Sequence, residues 1–169
     1  MKFFLDIDGV MVHANPHKPV ELEDDGFYKF NKKAVEIFNS IFCTTKDELI
    51  LSTSHRYKYS IAEWKVIFKK RGISSRKISI VENLGEHTHK VSRRVEIESW
   101  INHNHFDFED LVILDDDKSL NELPSSLKKR LCLTNSYTGL NDVEDLKQIV
   151  NRKPKVNVNI ESKYYKHRR

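Results

Sequence analysis

Short apolar runs alternate with helical patterns along most of this chain, and this alternation limits the fold more than any other feature of the sequence. The runs are three to five residues long and end at polar or turn residues, as buried strands do. This order is typical of an α/β fold, here a Rossmann-like three-layer α/β/α sandwich with a mainly parallel sheet. The predicted strands are 2–5, 48–51, 77–81, 111–114 and 131–133. The first predicted helix is capped by Asn31 and runs to about residue 42, and three more are predicted at 59–71, 92–103 and 143–150.

The length and composition fit one ordinary domain. The chain has 169 residues, of which 38% are hydrophobic and 32% charged, so a low-complexity chain and a disulfide scaffold are excluded. Cys43 and Cys132 lack metal-ligand spacing and are expected to be reduced thiols, which favours a cytoplasmic location. Because no apolar run approaches the roughly 20 residues needed to cross a bilayer, no membrane partner is expected.

Positive charge is concentrated at the end of the chain. Residues 152–169 carry a net charge of +6, whereas the preceding residues carry −2. We therefore predict a domain over 1–151 and a basic C-terminal tail over 152–169. The tail combines lysines and arginines with two tyrosines, a mixture that suits phosphate backbones and base stacking, so a weak nucleic-acid contact is one interpretation. The other is a frayed terminus that only adds charge.

Two groups of acidic residues directly follow two of the predicted strands. Asp6 and Asp8 come after the first strand, and Asp115, Asp116 and Asp117 come after the fourth. Ligands of parallel sheets bind at the carboxyl ends of the strands, where these groups would meet. Converging carboxylates repel one another unless a cation neutralises them, and all-oxygen ligands favour Mg²⁺. One such group alone could be an ordinary turn, but two groups at two strand ends favour a metal site.

These segments resemble the motifs of the haloacid dehalogenase (HAD) superfamily. Residues 4–10 are similar to its motif I, hhhDxDGx(T/V), residues 49–54 to motif II, in which Ser or Thr closes the second strand, and residues 112–116 to the acidic motif IV. Residues 54–56, 93–101, 114–117 and 138–140 also resemble a small capless group of this superfamily, although that group usually has Trp where this chain has His55. The resemblance covers about residues 1–150 and implies a HAD-like fold without a large cap domain, but no particular substrate.

The resemblance also implies a Mg²⁺-dependent phosphatase that works through an aspartyl-phosphate. Asp6 would attack the phosphoryl group, and Asp8 would protonate the leaving oxygen and later activate water. Mg²⁺ would be held by Asp6, the Asp8 carbonyl and Asp116. Asp115 or Asp117 would take a direct or supporting role at the metal, and the sequence does not rank them.

A hydroxyl after the second strand would hold the phosphoryl oxygens. Ser52 is the first candidate because it is the first polar residue after the apolar run, Thr53 is the next, and Ser54 is the third. The alternative is that these are ordinary strand-end hydroxyls that cap a turn.

Basic residues complete the predicted site. Motif III requires a Lys or Arg near the start of the helix before motif IV, and Arg93 is favoured over Lys90 for this position. Either could instead lie on a solvated helix face. Arg56 is expected at the rim of the pocket, where it would either bind substrate or form a structural ion pair.

Two further patterns bear on function. The pairs His87/His89 and His103/His105 have a spacing that can bind Zn²⁺, but no third ligand accompanies them, so surface histidines are the favoured interpretation. Residues 13–30 are too few for a cap domain, so we expect an open site that accepts a phosphorylated small molecule or a nucleic-acid end. The competing hypothesis is a non-catalytic binding or regulatory module that keeps the fold.

Overall fold

The computed structural model describes residues 1–84 and 91–151, and within them five strands form one parallel sheet. The strand order is β3-β2-β1-β4-β5, and every neighbouring pair is parallel. The chain first adds strands on one side of β1 and then on the other, so the order reverses between β1 and β4. The strands are β1 (Lys2–Leu5), β2 (Glu48–Leu51), β3 (Lys77–Ile80), β4 (Leu111–Asp115) and β5 (Leu131–Leu133).

Helices cover both faces of this sheet, which confirms the predicted three-layer α/β fold. One apolar cluster joins β1, β2 and β4 to α1, α2 and α5, and a second joins the opposite faces of the same strands to α3 and α4. The short α4 was not predicted, because four residues are too few to show a helical period. The helices are α1 (Lys32–Ile41), α2 (Ile61–Lys70), α3 (Arg93–His103), α4 (Ser125–Lys128) and α5 (Val143–Val150).

Alternation along β1 shows how the two clusters are built. Phe3 and Leu5 point into the first cluster and Phe4 into the second, and all three are fully buried. The Phe3 ring meets Phe38 and Phe42 edge-on, at centroid distances of 5.9 and 5.1 Å. Each buried phenylalanine contributes roughly 1.5–3 kcal/mol of transfer free energy. The central strand is therefore a rigid base for the residues that follow it.

Side-chain caps determine where the helices begin. The Asn31 side chain accepts hydrogen bonds from the backbone of α1 at distances of 2.9 and 3.4 Å. Ser60 and Glu63 form a reciprocal capping box, so α2 begins at Ile61 rather than at 59 as predicted. Ser92 caps α3, which places Arg93 in the first turn of that helix at the carboxyl edge of the sheet.

The segment between β1 and α1 is small. Residues 9–31, all within the described part of the chain, contain turns and short bridges but no helix, and no cap domain is inserted there. The segment is fastened to α2 by an ion pair between Asp25 and Arg71, which we call the clamp. None of the helices within the described ranges is long and apolar enough to cross a bilayer. The basic tail, His87, His89 and Lys90 lie outside the described residues.

Candidate active site

Asp6 and Asp115 come from the two central strands between which the strand order reverses. Leu5 pairs with Leu114, and the backbone N–H of Asp6 donates to the Leu114 carbonyl at 3.0 Å, so the two chains run side by side past the sheet edge. A reversal of strand order opens a crevice where ligands bind in α/β sheets. The acidic residues therefore lie at the position that the topology favours for a site.

The carboxylates of Asp6, Asp115 and Asp116 converge. One oxygen of each lies within 4.8 Å of the others, and Asp6 and Asp115 are buried. Asp6 Oδ1 and Asp115 Oδ2 have no hydrogen-bond partner among the described residues. Buried polar atoms without partners are rare because they are costly, and a bound cation would satisfy both oxygens. A set of carboxylate oxygens fits Mg²⁺.

Burial and mutual repulsion shift the pKa values of the two buried carboxyls upward. Loss of hydration is the main cause for both, and it raises the pKa of Asp115 from an ordinary value of 3.8 to about 8. The same effect raises the pKa of Asp6 to about 6. Arg93 opposes both shifts but does not cancel them. Arg93 therefore does not fully neutralise the negative charge of the Asp6 and Asp115 carboxylates.

Gly9 allows Asp116 to reach the cluster. The backbone of Gly9 has φ +74°, and a Cβ added there would lie 2.1 Å from Asp116 Oδ2. Any other residue would therefore be strained and would collide with the carboxylate. The Gly9 carbonyl is held by the hydroxyl of Thr134, which donates to it at 2.6 Å.

Arg93 is shared among three carboxylates. Its Nη2 lies 3.8 Å from Asp6 Oδ1, its Nε lies 3.3 Å from Asp115 Oδ2, and its Nη1 donates to Glu96 Oε2 at 3.2 Å. Its side chain is only 13% exposed. One positive charge thus faces several negative ones, and the surplus negative charge favours a cation in the crevice.

Ser52 and Thr53 differ in how their hydroxyls are used. Ser52 is fully buried, its backbone N–H donates to the Leu5 carbonyl at 3.1 Å, and its Oγ has no hydrogen-bond partner in the described part of the chain. Thr53 Oγ1 instead accepts from the backbone of His55 and caps a single 3-10 turn over Ser54–Tyr57. The Ser52 hydroxyl thus differs from that of Thr53, which is already used within the protein.

Asp8 has a partner that sequence reasoning missed. His55 Nε2 lies 2.8 Å from Asp8 Oδ2, across 47 residues of sequence. The Asp8 side chain is about one third exposed, so it lies at the mouth of the crevice rather than in its base. From the sequence, His55 was expected at the rim of the pocket, because it follows the motif II strand, but nothing there indicated Asp8 as its partner.

A comparison with models of protein families identifies the family of this chain. The model described as "HAD domain in Swiss Army Knife RNA repair proteins" matches residues 3–145. The chain belongs to this family of HAD domains. The predicted resemblance to the HAD superfamily is thus confirmed, and HAD domains are generally hydrolases that use Mg²⁺. No match was found among curated proteins.

Arg56 does not reach into the crevice of this HAD domain. It is 4% exposed, and its guanidinium donates to the carbonyls of Ser52, Thr53 and Val81 and to Glu96 Oε1, the last at 2.9 Å. A substrate-binding role does not fit this placement, because the donors are already used inside the protein. Of the two expected roles, the structural ion pair fits the geometry.

Asp115 and Asp117 of the HAD domain differ in their hydrogen bonds and in their distance from the other carboxylates. Asp115 Oδ1 accepts from the backbone N–H of Asp117 at 3.0 Å, while Asp117 Oδ1 accepts from the backbone of Ser119 at 2.8 Å and caps the next turn. Asp115 belongs to the converging group and Asp117 does not. Lys90, the alternative to Arg93, lies outside the described residues.

Glu96 lies in the segment 93–101 noted in the sequence, but no role was predicted for it. Its two carboxylate oxygens accept from Arg56 and Arg93, so it bridges the turn after β2 to the start of α3. The spacing of Arg93 and Glu96 by three residues on a helix was a usable signal, since such residues are neighbours on the helix surface. Its contact with Arg56, 40 residues away, was not visible in the sequence.

Proposed function

We propose that this HAD domain is a Mg²⁺-dependent phosphatase that hydrolyses phosphate monoesters through an aspartyl-phosphate on Asp6. The observation that carries this proposal is the convergence of the Asp6, Asp115 and Asp116 carboxylates at the reversal of strand order, with two buried oxygens that have no hydrogen-bond partner in the described part of the chain. Family membership supports hydrolase chemistry in general. The proposal adds the metal, the intermediate and the roles of the residues.

Asp6, Asp116 and the backbone carbonyl of Asp8 would hold the metal, with Asp115 beside them. Bound there, Mg²⁺ would neutralise the carboxylates and the phosphate oxygens, so that an anionic nucleophile can approach an anionic substrate. The family resemblance supplies the Asp8 carbonyl, and the convergence of the carboxylates supports the remaining ligands.

The reaction runs in two steps on the protein's own carboxyl groups. In the first, an oxygen of Asp6 forms a bond to phosphorus while the bond to the leaving oxygen breaks, and Asp8 gives its proton to that oxygen. In the second, Asp8 removes a proton from a water molecule that attacks phosphorus. The bond to Asp6 then breaks, and inorganic phosphate leaves. Asp8 lies at the mouth of the crevice, where the leaving group would depart.

Ser52 and Arg93 would hold the transferred phosphoryl group. The Ser52 hydroxyl is buried without a partner in the described part of the chain, and Arg93 has Nε and Nη2 directed at the carboxylate cluster. Donors that are fixed before the reaction stabilise the charge of the transition state, and removal of one such donor typically costs about 10²–10³-fold in kcat. Thr53 would position the turn that follows, since its hydroxyl oxygen already caps it.

The test is hydrolysis of p-nitrophenyl phosphate with and without Mg²⁺, comparing the wild type with Asp6→Asn. Asp107→Asn is the matched control, because Asp107 caps a turn before β4 and asparagine caps equally well. We expect Mg²⁺-dependent turnover in the wild type and the control and none in Asp6→Asn. If the wild type turns over neither this substrate nor a broad panel of phosphate esters above Asp6→Asn, the protein is a non-catalytic module instead.

The phosphorylated end of an RNA is the second candidate substrate. The family description names RNA repair, and the segment at 9–31 leaves the crevice without a cap domain. Oligonucleotides that carry a 5′ or a 3′ phosphate, as RNA and as DNA, should be compared with small phosphate esters. A kcat/KM on one RNA end that exceeds every small ester by at least about 10²-fold would support this candidate, and equal values would exclude it.

The basic tail is proposed to hold the nucleic acid. Residues 161–169 contain lysines, arginines and two tyrosines, whereas residues 1–151 carry a net charge of −2. Removal of these residues should weaken oligonucleotide binding and reduce the slope of log Kd against log[salt] by roughly 0.7–0.9 for each phosphate that the tail neutralises. If the truncated and full-length chains bind alike, or if neither binds, the tail does not hold nucleic acid.

A further inference from the structure

The hydrogen bond between His55 and Asp8 points to a function for His55. We propose that His55 is a positioning residue that holds the Asp8 carboxyl toward the leaving-group oxygen, an inference that rests on the phosphatase function proposed above. His55 Nε2 lies 2.8 Å from Asp8 Oδ2, at hydrogen-bond distance, so that Asp8 Oδ1 would be the oxygen that faces the substrate.

Asp8 needs such a partner because its side chain is exposed. About 35% of its surface is accessible, so without a partner the carboxyl could rotate away from the crevice. Proton transfer requires the acid to lie within hydrogen-bond distance of the leaving oxygen, and a displacement of about 1 Å can cost on the order of 10²-fold. A hydrogen bond from a fixed ring restricts the carboxyl to a narrow range of positions.

The imidazole ring is itself held in place by two aromatic side chains. Phe27 and Tyr28 meet it edge-on, with centroid distances of 5.6 and 5.3 Å and interplanar angles of 84° and 89°. The backbone N–H of His55 donates to Thr53 Oγ1 at 3.3 Å, which holds the main chain as well. The Nε2 atom is therefore directed at Asp8 before any substrate binds.

The clamp connects this support to the body of the protein. Arg71 donates to both oxygens of Asp25 at 2.8 Å, and its guanidinium lies 5.4 Å from the centre of the Phe27 ring. Arg71 also donates to the backbone carbonyl of Tyr28, so the Phe27 ring and the main chain of Tyr28 are both held at the end of α2. The segment at 9–31, which takes the place of a cap domain, thus has a structural task at the site.

Two variants separate the hydrogen bond from the ring packing. His55→Phe keeps an aromatic ring against Phe27 and Tyr28 but removes the donor to Asp8. His55→Gln restores an N–H donor of similar reach. His103→Phe is the control, because His103 lies exposed at the far end of α3 and stacks on Trp100, which a phenyl ring also does.

The experiment measures transfer of the phosphoryl group to Asp6 by rapid quench, with two substrates that differ in leaving group. p-Nitrophenolate leaves without a proton, whereas the alkoxide of an alkyl phosphate needs one from Asp8. We expect His55→Phe to slow transfer from the alkyl phosphate about 10²-fold at unchanged KM and to slow transfer from p-nitrophenyl phosphate only a few-fold. His55→Gln should recover most of the rate, and His103→Phe should match the wild type.

The outcomes distinguish failure of this inference from failure of the proposed function. An inactive wild type would overturn the phosphatase function and this inference with it. An active wild type with equal losses on both substrates, a loss in KM alone, or no recovery in a folded His55→Gln would overturn the positioning role and leave the phosphatase function in place. Thermal unfolding of each variant establishes that it is folded.

Discussion

Two regions of this protein place an arginine against aspartate, with opposite results. In the clamp, Arg71 meets one carboxylate, Asp25, through two hydrogen bonds of 2.8 Å, and its remaining donors reach backbone carbonyls. In the crevice, Arg93 faces the carboxylates of Asp6, Asp115 and Glu96, and two buried oxygens, Asp6 Oδ1 and Asp115 Oδ2, lie near its nitrogens but have no hydrogen-bond partner among the described residues. Both carboxylate oxygens of the clamp therefore have hydrogen-bond partners, whereas the carboxylates of the crevice do not all have them.

The pKa values show the same difference. Hydrogen bonds from Arg71 lower the pKa of Asp25 to about 2, whereas burial raises the pKa of Asp115 to about 8. A carboxylate that stabilises the fold has partners for its charge, while carboxylates that serve a metal and a phosphate are held together at a cost in stability. The comparison therefore distinguishes the Asp25 carboxylate, which has partners within the fold, from the carboxylates that are proposed to bind the metal.

Asp116→Ala should produce the largest effect. Loss of this oxygen ligand should lower kcat/KM by more than about 10²-fold and abolish the Mg²⁺-induced rise in Tm, while the fold is retained. Asp117→Asn is the control, since its side chain caps a turn and is outside the converging group. Activity at low Mg²⁺ equal to that of the wild type would show that another carboxylate is the ligand.

Asp25→Asn should destabilise the fold by about 1–2 kcal/mol at neutral pH, because it removes the charge from a bidentate pair with a buried arginine. The folded pKa lies below the ordinary 3.8, so the stabilisation is present above about pH 4 and is lost as the pH falls towards 2. Urea unfolding of both proteins at pH 7 and near pH 2.5 measures this.

The control for the clamp is Asp24→Asn. Asp24 is the adjacent residue, highly exposed, and pairs with Lys70 at the surface, where ion pairs contribute little. A loss of stability from Asp24→Asn as large as that from Asp25→Asn would contradict the clamp.

Glu96→Gln tests whether the Glu96 carboxylate, which accepts from both Arg56 and Arg93, positions Arg93. Glutamine can still accept from Arg56, but the charge that holds Arg93 is removed. We expect kcat to fall about tenfold, with a change in Tm of a few degrees at most. Glu98→Gln is the control on the same helix, since Glu98 pairs with Arg94 instead, at 3.9 Å. Equal kcat values for the two variants would show that Glu96 does not position Arg93 for the reaction.

Asp115→Asn should change the free energy of unfolding in the opposite direction to Asp25→Asn. The substitution removes a carboxyl whose ionisation is opposed by burial and by Asp6, while asparagine can still accept from the backbone of Asp117. Without Mg²⁺ we expect a gain in unfolding free energy of at least about 1 kcal/mol, together with a loss of activity. Unfolding in the presence of EDTA measures the gain, and a destabilised variant would show that Arg93 already compensates Asp115.

The sequence predicted the sheet well because its strands are buried. The bounds of β1, β2, β5 and α5 agree with the predicted ones, since each is an apolar run or periodic segment between polar residues. The carboxylates of the crevice were predicted for a related reason, because the carboxyl ends of parallel strands must meet at one edge.

Contacts between distant side chains were not predictable in this way. The bond of His55 to Asp8 spans 47 residues, and that of Arg56 to Glu96 spans 40. No local pattern encodes such pairs, because they depend on how the turn after β2 packs against its neighbours. For this reason the sequence left two roles open for Arg56, binding of substrate and a structural ion pair. The structure distinguishes these roles.

The most direct test of Asp6 as the nucleophile is trapping with beryllofluoride and Mg²⁺, observed by ¹⁹F NMR. Beryllofluoride imitates a phosphoryl group on a carboxylate, so the signal does not depend on knowing the substrate. We predict a Mg²⁺-dependent bound resonance in the wild type and in His55→Phe, and none in Asp6→Asn. A wild type without a bound resonance, or an Asp6→Asn variant that keeps it, would contradict the account.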